Sequence, residues 1–237
     1  MLIVALQFHE KDREQAATLA RFIADVEPAR RDDVKILFVT RSGSARMDPM
    51  TCEHVNKTFD IGMWMTPDTG DGWPSGPNKM ATDLLMHAPD WVAQYGWQGA
   101  FGILLLEPDC VPMDRFWTDK IMRAWALALI DGAWCMGSFR QSGPPCGHVN
   151  GSMVVRPDFA KLVDLSGCPH DLAWDCYVAP AVMPHACISG LFLNKFRETN
   201  ATEEILRTPE TGGVPPVLVH GFKDRSAEDI ARKWMNL

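Results

Sequence analysis

The chain has 237 residues, a length that suits one large α/β domain and stops short of two full-sized ones. A hydrophobic share of 46% and a charged share of 22% exclude disordered and collagen-like architectures. Lys and Arg number 23 against 30 Asp and Glu, and the resulting formal charge of −7 disfavours a protein that coats polyanions. The longest apolar runs, 100–106 and 124–130, fall well below the roughly 18 residues a membrane-spanning helix needs. No basic segment followed by an apolar stretch opens the chain, so a cytoplasmic protein without membrane association is expected. The seven cysteines, at 52, 110, 135, 146, 168, 176 and 187, contain no CxxC pair. They read as free thiols in a reducing compartment.

In chain order, the apolar run over 2–8 predicts a buried strand. The periodic apolar residues Ala16, Leu19, Ala20, Phe22 and Ile23 predict a helix over 11–26 that Pro28 helps to end. A strand follows over 35–40, a helix over 48–58 and a strand over 60–65. Residues 66–77 are dense in Gly, Pro and Asp and read as a loop that opens a helix over 78–87. The run 101–106 (FGILLL) is continuously apolar, which predicts a strand buried on both faces. Beyond it, a helix is expected over 116–130, strands over 134–140 and 152–155, and a helix over 171–182. Strands over 187–193 and 217–219 and a closing helix over 226–234 complete the chain, with the charged stretch 197–207 as a solvated loop and helix face. Alternating strands and helices through the first 130 residues argue for right-handed βαβ units around a mainly parallel sheet. No linker or repeat interrupts residues 1–237, so one domain is expected, its second half less regular than its first.

In open α/β sheets, ligands bind beyond the carboxyl ends of the strands. The most apolar strand ends in Leu106-Glu107-Pro108-Asp109-Cys110. Two carboxylates two residues apart make a compact anionic point suited to a divalent cation, which in turn neutralises a diphosphate. A strand followed by ExD, with βα units before it, resembles the nucleotide-sugar-dependent glycosyltransferases of the GT-A fold. Their DxD motif binds Mn²⁺ or Mg²⁺ together with the donor diphosphate; Glu107 stands in place of the first Asp, which leaves Asp109 the firmer ligand.

Later segments are similar to the same family. Asn150-Gly151, before the apolar Ser152–Val155, resembles the turn that addresses the sugar: Gly151 permits close backbone approach, and Asn150 offers a donor and an acceptor. Asp175, in Asp171-Leu172-Ala173-Trp174-Asp175, occupies a position like that of the family's acid facing the acceptor or transferred sugar. The resemblance implies a general base in an inverting enzyme, or a stabiliser of positive charge in a retaining one. His220-Gly221-Phe222-Lys223 is similar to the closing HxxGxxK segment of glycogenin-like transferases, in a compressed form. That likeness implies His220 as a metal ligand beside Asp109 and Glu107, and Lys223 as a contact to the leaving diphosphate. By position in the fold, Thr40 and Arg41 would meet the nucleotide, and Lys79, at the start of a helix, would add a charge to the donor phosphates. Of the nine tryptophans, Trp73 stands out for lying in a Gly/Pro-rich loop with little core to join.

These likenesses span roughly residues 2–223. Residues to about 110 would form the half that binds a UDP- or GDP-sugar, and those from about 111 the acceptor-binding half. They imply a hexosyltransferase-type glycosyltransferase, its acceptor a saccharide, a protein or, as in phage DNA modification, a hydroxymethylated DNA base. Two alternatives are a sugar-nucleotide nucleotidyltransferase and a non-catalytic nucleotide- or carbohydrate-binding module. Against the first, residues 7–11 (QFHEK) lack the glycine-rich phosphate loop that such enzymes carry after the first strand.

Overall fold

The computed structural model describes residues 1–67, 72–142, 146–207 and 215–237, so residues 68–71 of the Gly/Pro-rich loop, Asp71 included, lie outside the described residues. Strand β1 (Leu2–Gln7) leads through α1 (Arg13–Val26) into β2 (Arg31–Arg41), and α2 (Pro49–Asn56) into β3 (Phe59–Thr66). Helices α3 (Ser75–Met86) and α4 (Ala88–Gln94) precede β4 (Gly102–Leu106), β5 (Cys110–Pro112) and α5 (Trp117–Ile130). Shorter elements follow: β6 (Cys135–Gly137), β7 (Phe139–Arg140), β8 (His148–Val149), β9 (Val154–Val155), α6 (Phe159–Leu162) and α7 (Trp174–Val182). The chain closes through β10 (Ala186–Ile188), β11 (Phe192–Glu198), α8 (Glu203–Leu206), β12 (Leu218–Phe222) and α9 (Ser226–Met235).

Among the described residues, seven strands form a central sheet in the order β10-β6-β9-β4-β1-β2-β3. Strand β1 runs parallel to β2 and β4, β2 to β3, and β6 to β10, whereas β9 is antiparallel to both its neighbours. The apolar run of β1 has a direct cause. Leu2, Val4 and Leu6 pack with Phe22 of α1 and Trp125 of α5, while Ile3 and Ala5 pack with Leu84 of α3 and Trp91 of α4. Side chains alternate across a strand, so a strand covered on both faces has no place for a polar one. A smaller sheet, in the order β11-β12-β5, has β12 parallel to β11 and antiparallel to β5. No helix among the described residues is long and apolar enough to cross a membrane.

Several expected elements are redrawn. The stretch 134–140 is two strands, because the chain leaves the sheet at Ser138, whose carbonyl accepts the Asn150 N–H at 3.0 Å. The stretch 187–193 is also two: β10 stops at Ile188, Ser189 Oγ accepts the Leu191 N–H at 3.3 Å, and β11 begins in the smaller sheet. Strand β11 then runs to Glu198, so the charged segment after it is part strand and part α8. Helix α3 begins at Ser75 and takes Pro77 into its first turn, where a missing N–H costs nothing. Helix α7 starts at Trp174 rather than at residue 171. Strand β5 and helix α4 were not expected; three residues carry no readable period, and Pro89 sits in the first turn of α4.

Close packing makes Gly102 a sensitive position. A Cβ there would lie 2.5 Å from Trp125 Nε1 and 2.8 Å from its Cδ1. That indole donates to the Phe101 carbonyl at 2.8 Å and is fully buried. Gly102→Ala therefore has to displace a packed Trp and break its hydrogen bond, and is expected to cost about 2–4 kcal/mol in urea unfolding.

Candidate active site

The acidic corner is built by a tight turn. After Leu106, the Cys110 N–H donates to the Glu107 carbonyl at 3.0 Å, and β5 sets out against β12 with Cys110 opposite His220. This antiparallel ladder brings Asp109 and His220 together although they lie far apart in the chain. Gly221, at φ +108°, takes a left-handed backbone that a side chain would strain, and it lies between His220 and Lys223.

His220 Nε2 stands 3.3 Å from Asp109 Oδ1 and 3.3 Å from Glu107 Oε2, and Lys223 Nζ stands 2.6 Å from Asp109 Oδ2. Asp109 and His220 are buried, whereas the Glu107 side chain is nearly half exposed. Burial alone would push the Asp109 carboxyl up, but His220 and Lys223 outweigh it and hold it well below the ordinary carboxylate range. For His220 burial acts downward, and the charge of Glu107 and the contact with Asp109 overcome it, lifting the imidazole well above its ordinary value. Burial likewise lowers Lys223, and Asp109 and Glu107 reverse the direction.

One donor atom each from Glu107, Asp109 and His220 lies within 4.8 Å of the others. Asp109 is neutralised only by the two cations, His220 and Lys223, and His220 Nδ1 is buried without a hydrogen-bond partner among the described residues. Two carboxylates grouped with an imidazole fit a divalent cation. Neighbouring ligands of an octahedral ion lie about 3 Å apart, close to the separations found here. The nitrogen donor suits Mn²⁺ better than Mg²⁺.

A second group faces this corner. Asp175, in the first turn of α7, accepts the Gly151 N–H on Oδ2 and the Cys176 N–H on Oδ1, both at 2.9 Å. Asn78 of α3, which is buried, fixes the start of α7: its Oδ1 accepts the Trp174 N–H at 2.8 Å and its Nδ2 donates to the Leu172 carbonyl at 2.6 Å. Asn150 Oδ1 accepts the Ser152 N–H at 3.1 Å and holds the turn from β8 to β9. Burial raises the Asp175 carboxyl, and the opposing pull of His148 and the two backbone amides is not enough to reverse it.

Two cavities meet over these groups. The first, of about 610 Å³, lies at the carboxyl ends of β1 and β2 against Gln7, Phe8, His9, Lys11 and Arg41. The second, of about 460 Å³, is lined among others by Asn150, Asp171, Asp175, Asn194, His220 and Lys223. Trp73, Pro77, Glu107, Gly151 and Trp174 line both.

The sequence matches no protein-family model and no curated protein. Solved structures do match. The galactosyltransferase LgtC, in complex with donor and acceptor sugar analogues, superposes with a TM-score of 0.61 at 12% identity, over 100% of this chain and 94% of that one. Mouse xyloside xylosyltransferase 1 superposes with a TM-score of 0.53 at 11% identity, over 93% of this chain and 98% of that one. The glycosyltransferase GlyE of Streptococcus pneumoniae gives 0.56 at 11% identity, over 100% of this chain and 61% of the other. The chain has the GT-A glycosyltransferase fold.

Within this GT-A fold, the residues singled out in the sequence fall in different places. Glu107, Asp109, His220 and Lys223 converge, and Asn150, Gly151 and Asp175 line the cavity beside them. Arg41 lines the first cavity. Thr40 does not: it is fully buried, its hydroxyl without a partner among the described residues. Lys79 turns instead to a separate cavity of about 200 Å³, with Ser75, Cys168 and His170. Trp73, 66% exposed, stands at the junction of the two cavities over the acidic corner, whereas Trp91 and Trp97 belong to the core. Sequence reasoning missed Asn78 as the clamp on α7. It also missed Asn194, which pairs with His220 in the β11–β12 register and whose amide atoms are both buried without partners among the described residues. No local signal marks Asn194, since it sits inside an ordinary strand.

Proposed function

We propose that this chain is a metal-dependent glycosyltransferase that moves a hexose from a UDP- or GDP-sugar to an acceptor hydroxyl. The observation that carries the reading is the meeting of Glu107, Asp109, His220 and Lys223 at the junction of two cavities, each large enough for part of a substrate pair. The nucleotide would lie in the cavity of β1 and β2, with Arg41 near its ribose or phosphates. Asp109, His220 and Glu107 would hold Mn²⁺, or less favourably Mg²⁺, and the bound ion would neutralise charge on the departing diphosphate. Lys223, now paired with Asp109, would turn its ammonium to the same phosphate. Asn150 and the Gly151 backbone would orient the sugar. Asp175 would act on it either as general base for the acceptor hydroxyl or as the charge that stabilises a cationic sugar.

Residues 1–237 would serve as one catalytic unit, its donor side contributed mainly by residues to about 110. A saccharide acceptor suits the second cavity: Glu107, Asp171, Asp175 and Trp174 are among its lining residues, and carboxylates beside an aromatic residue are the residue types that sugars call for. The same carboxylates and the net charge of −7 disfavour a nucleic-acid acceptor. Free cysteines throughout the described residues accord with a reducing cytoplasm.

Incubating the chain with UDP- and GDP-sugars should release the nucleoside diphosphate slowly to water and faster with an acceptor saccharide. EDTA should stop the release and excess Mn²⁺ restore it. A donor that binds but stays intact would leave a binding module, and full activity in EDTA would remove the metal.

A further inference from the structure

A buried imidazole beside the second cavity has no hydrogen-bond partner at Nδ1 among the described residues and only a long contact to a carboxylate at Nε2. His148 is 7% exposed, and its Nε2 stands 3.7 Å from Asp175 Oδ2, beyond hydrogen-bond reach. Buried polar groups are normally satisfied by protein, water or ligand, so this ring calls for an occupant. Its surroundings indicate which. One donor atom each from His148, Asp175 and Cys176 lies within 4.8 Å of the others, and all three residues line the cavity through which an ion would enter. The donors sit on fixed backbone: His148 on β8, the other two in the first turn of α7, with the Asp175 carboxylate held by two backbone amides.

We propose that His148, Asp175 and Cys176 form a zinc site separate from the Glu107–Asp109–His220 group, and that Zn²⁺ seated there inhibits the enzyme. Imidazole nitrogen, thiolate sulfur and carboxylate oxygen are a ligand set for tetrahedral zinc, with the fourth position open to water from the cavity. Bonds of about 2.0–2.3 Å set tetrahedral donors roughly 3.3–3.8 Å apart, so small side-chain rotations close the group around an ion. The sulfur excludes Mn²⁺ and Mg²⁺ as the preferred occupants, because both favour oxygen. On binding, the Cys176 S–H bond breaks, its proton passes to solvent and an S–Zn bond forms, with no change of oxidation state. Inhibition follows because the ion takes the Asp175 oxygen that would face the sugar; that half rests on the function proposed above, whereas the site itself does not.

The test uses the whole chain saturated with Mn²⁺ and titrated with Cd²⁺ or Co²⁺, whose thiolate complexes give an ultraviolet charge-transfer band. One equivalent should produce the band and Zn²⁺ should displace it. Cys176→Ser should remove the band, and whatever Mn²⁺-dependent transfer the variant retains should be insensitive to Zn²⁺. His148→Gln provides the second arm. Outer-sphere partners of a metal are already worth 10–100-fold in affinity, so losing a direct ligand should weaken Cd²⁺ binding by roughly 100-fold or more. A band that persists in folded Cys176→Ser, or affinity unchanged in His148→Gln, would overturn the site. Spectroscopy needs neither donor nor acceptor: a protein without transferase activity would still give the band, and an active transferase without it would lose only the zinc site.

Discussion

Asp109→Asn is expected to lower sugar transfer by about 100- to 1,000-fold, the loss of several kcal/mol of charge stabilisation. Asparagine keeps the shape of the side chain and removes the charge, and Mn²⁺ affinity measured by calorimetry should fall in parallel. Glu107→Gln should cost less, because that carboxylate is nearly half exposed and contributes from the rim. Undiminished Mn²⁺ affinity and rate in the Asp109→Asn variant would remove the metal centre. The cation-free protein carries a pH signature of the same cluster. Asp109 is depressed, so its stabilisation is present above the unfolded value near 3.9 and is lost as pH falls through the folded one. His220 is raised, so its stabilisation is present below about 6.5 and is lost as pH climbs through the folded value. From these two groups, thermal stability without metal should be fullest between about pH 4 and 6.5. Mn²⁺ requires neutral imidazole, so its binding should release a proton and tighten as pH rises through that upper limb.

How far the sequence discloses this arrangement depends on the scale of each feature. Strands β1 and β4 are legible because both their faces are covered, and continuous apolarity records that directly. The partnership of Asp109 with His220 is not legible from periodicity. The ladder that joins them is the three-residue β5, too short to leave a pattern, and only the resemblance to a fold with a late histidine anticipates it. Neighbouring residues part company for equally plain reasons. Strand residues alternate, so Arg41 lines the cavity while Thr40, its neighbour, points into the sheet packing. Helix residues turn by about 100° each, so once Asn78 is committed to clamping α7, Lys79 is carried round to a different groove. Asn194 and His148 are beyond reach for another reason: what distinguishes them is a missing hydrogen bond, a property of the folded surroundings and not of the chain.

Asp175→Asn is expected to reduce kcat by about 100- to 10,000-fold while donor affinity changes only a few-fold. The side chain also holds the Gly151 turn, so a fall in activity alone would not separate chemistry from architecture. The energetics supply the separation. Asparagine must present its NH₂ to one of the two backbone amides that the carboxylate now satisfies, at a cost of about 1–3 kcal/mol. Against this, the raised Asp175 carboxyl means that its ionised form burdens the fold at neutral pH, a burden absent below the unfolded value near 3.9; the neutral amide removes it. The two effects oppose each other, so the melting temperature should move little while turnover collapses. In the unmutated chain, the proposed role predicts that kcat falls on the acid side at a pH above the ordinary carboxylate range, because that role needs the ionised form and burial makes it harder to reach. A small carboxylate such as formate, added to Asp175→Ala, should restore part of the turnover if the group acts on the reacting sugar. No rescue, together with a melting temperature that drops in step with activity, would reduce Asp175 to a tie between α7 and the Gly151 turn.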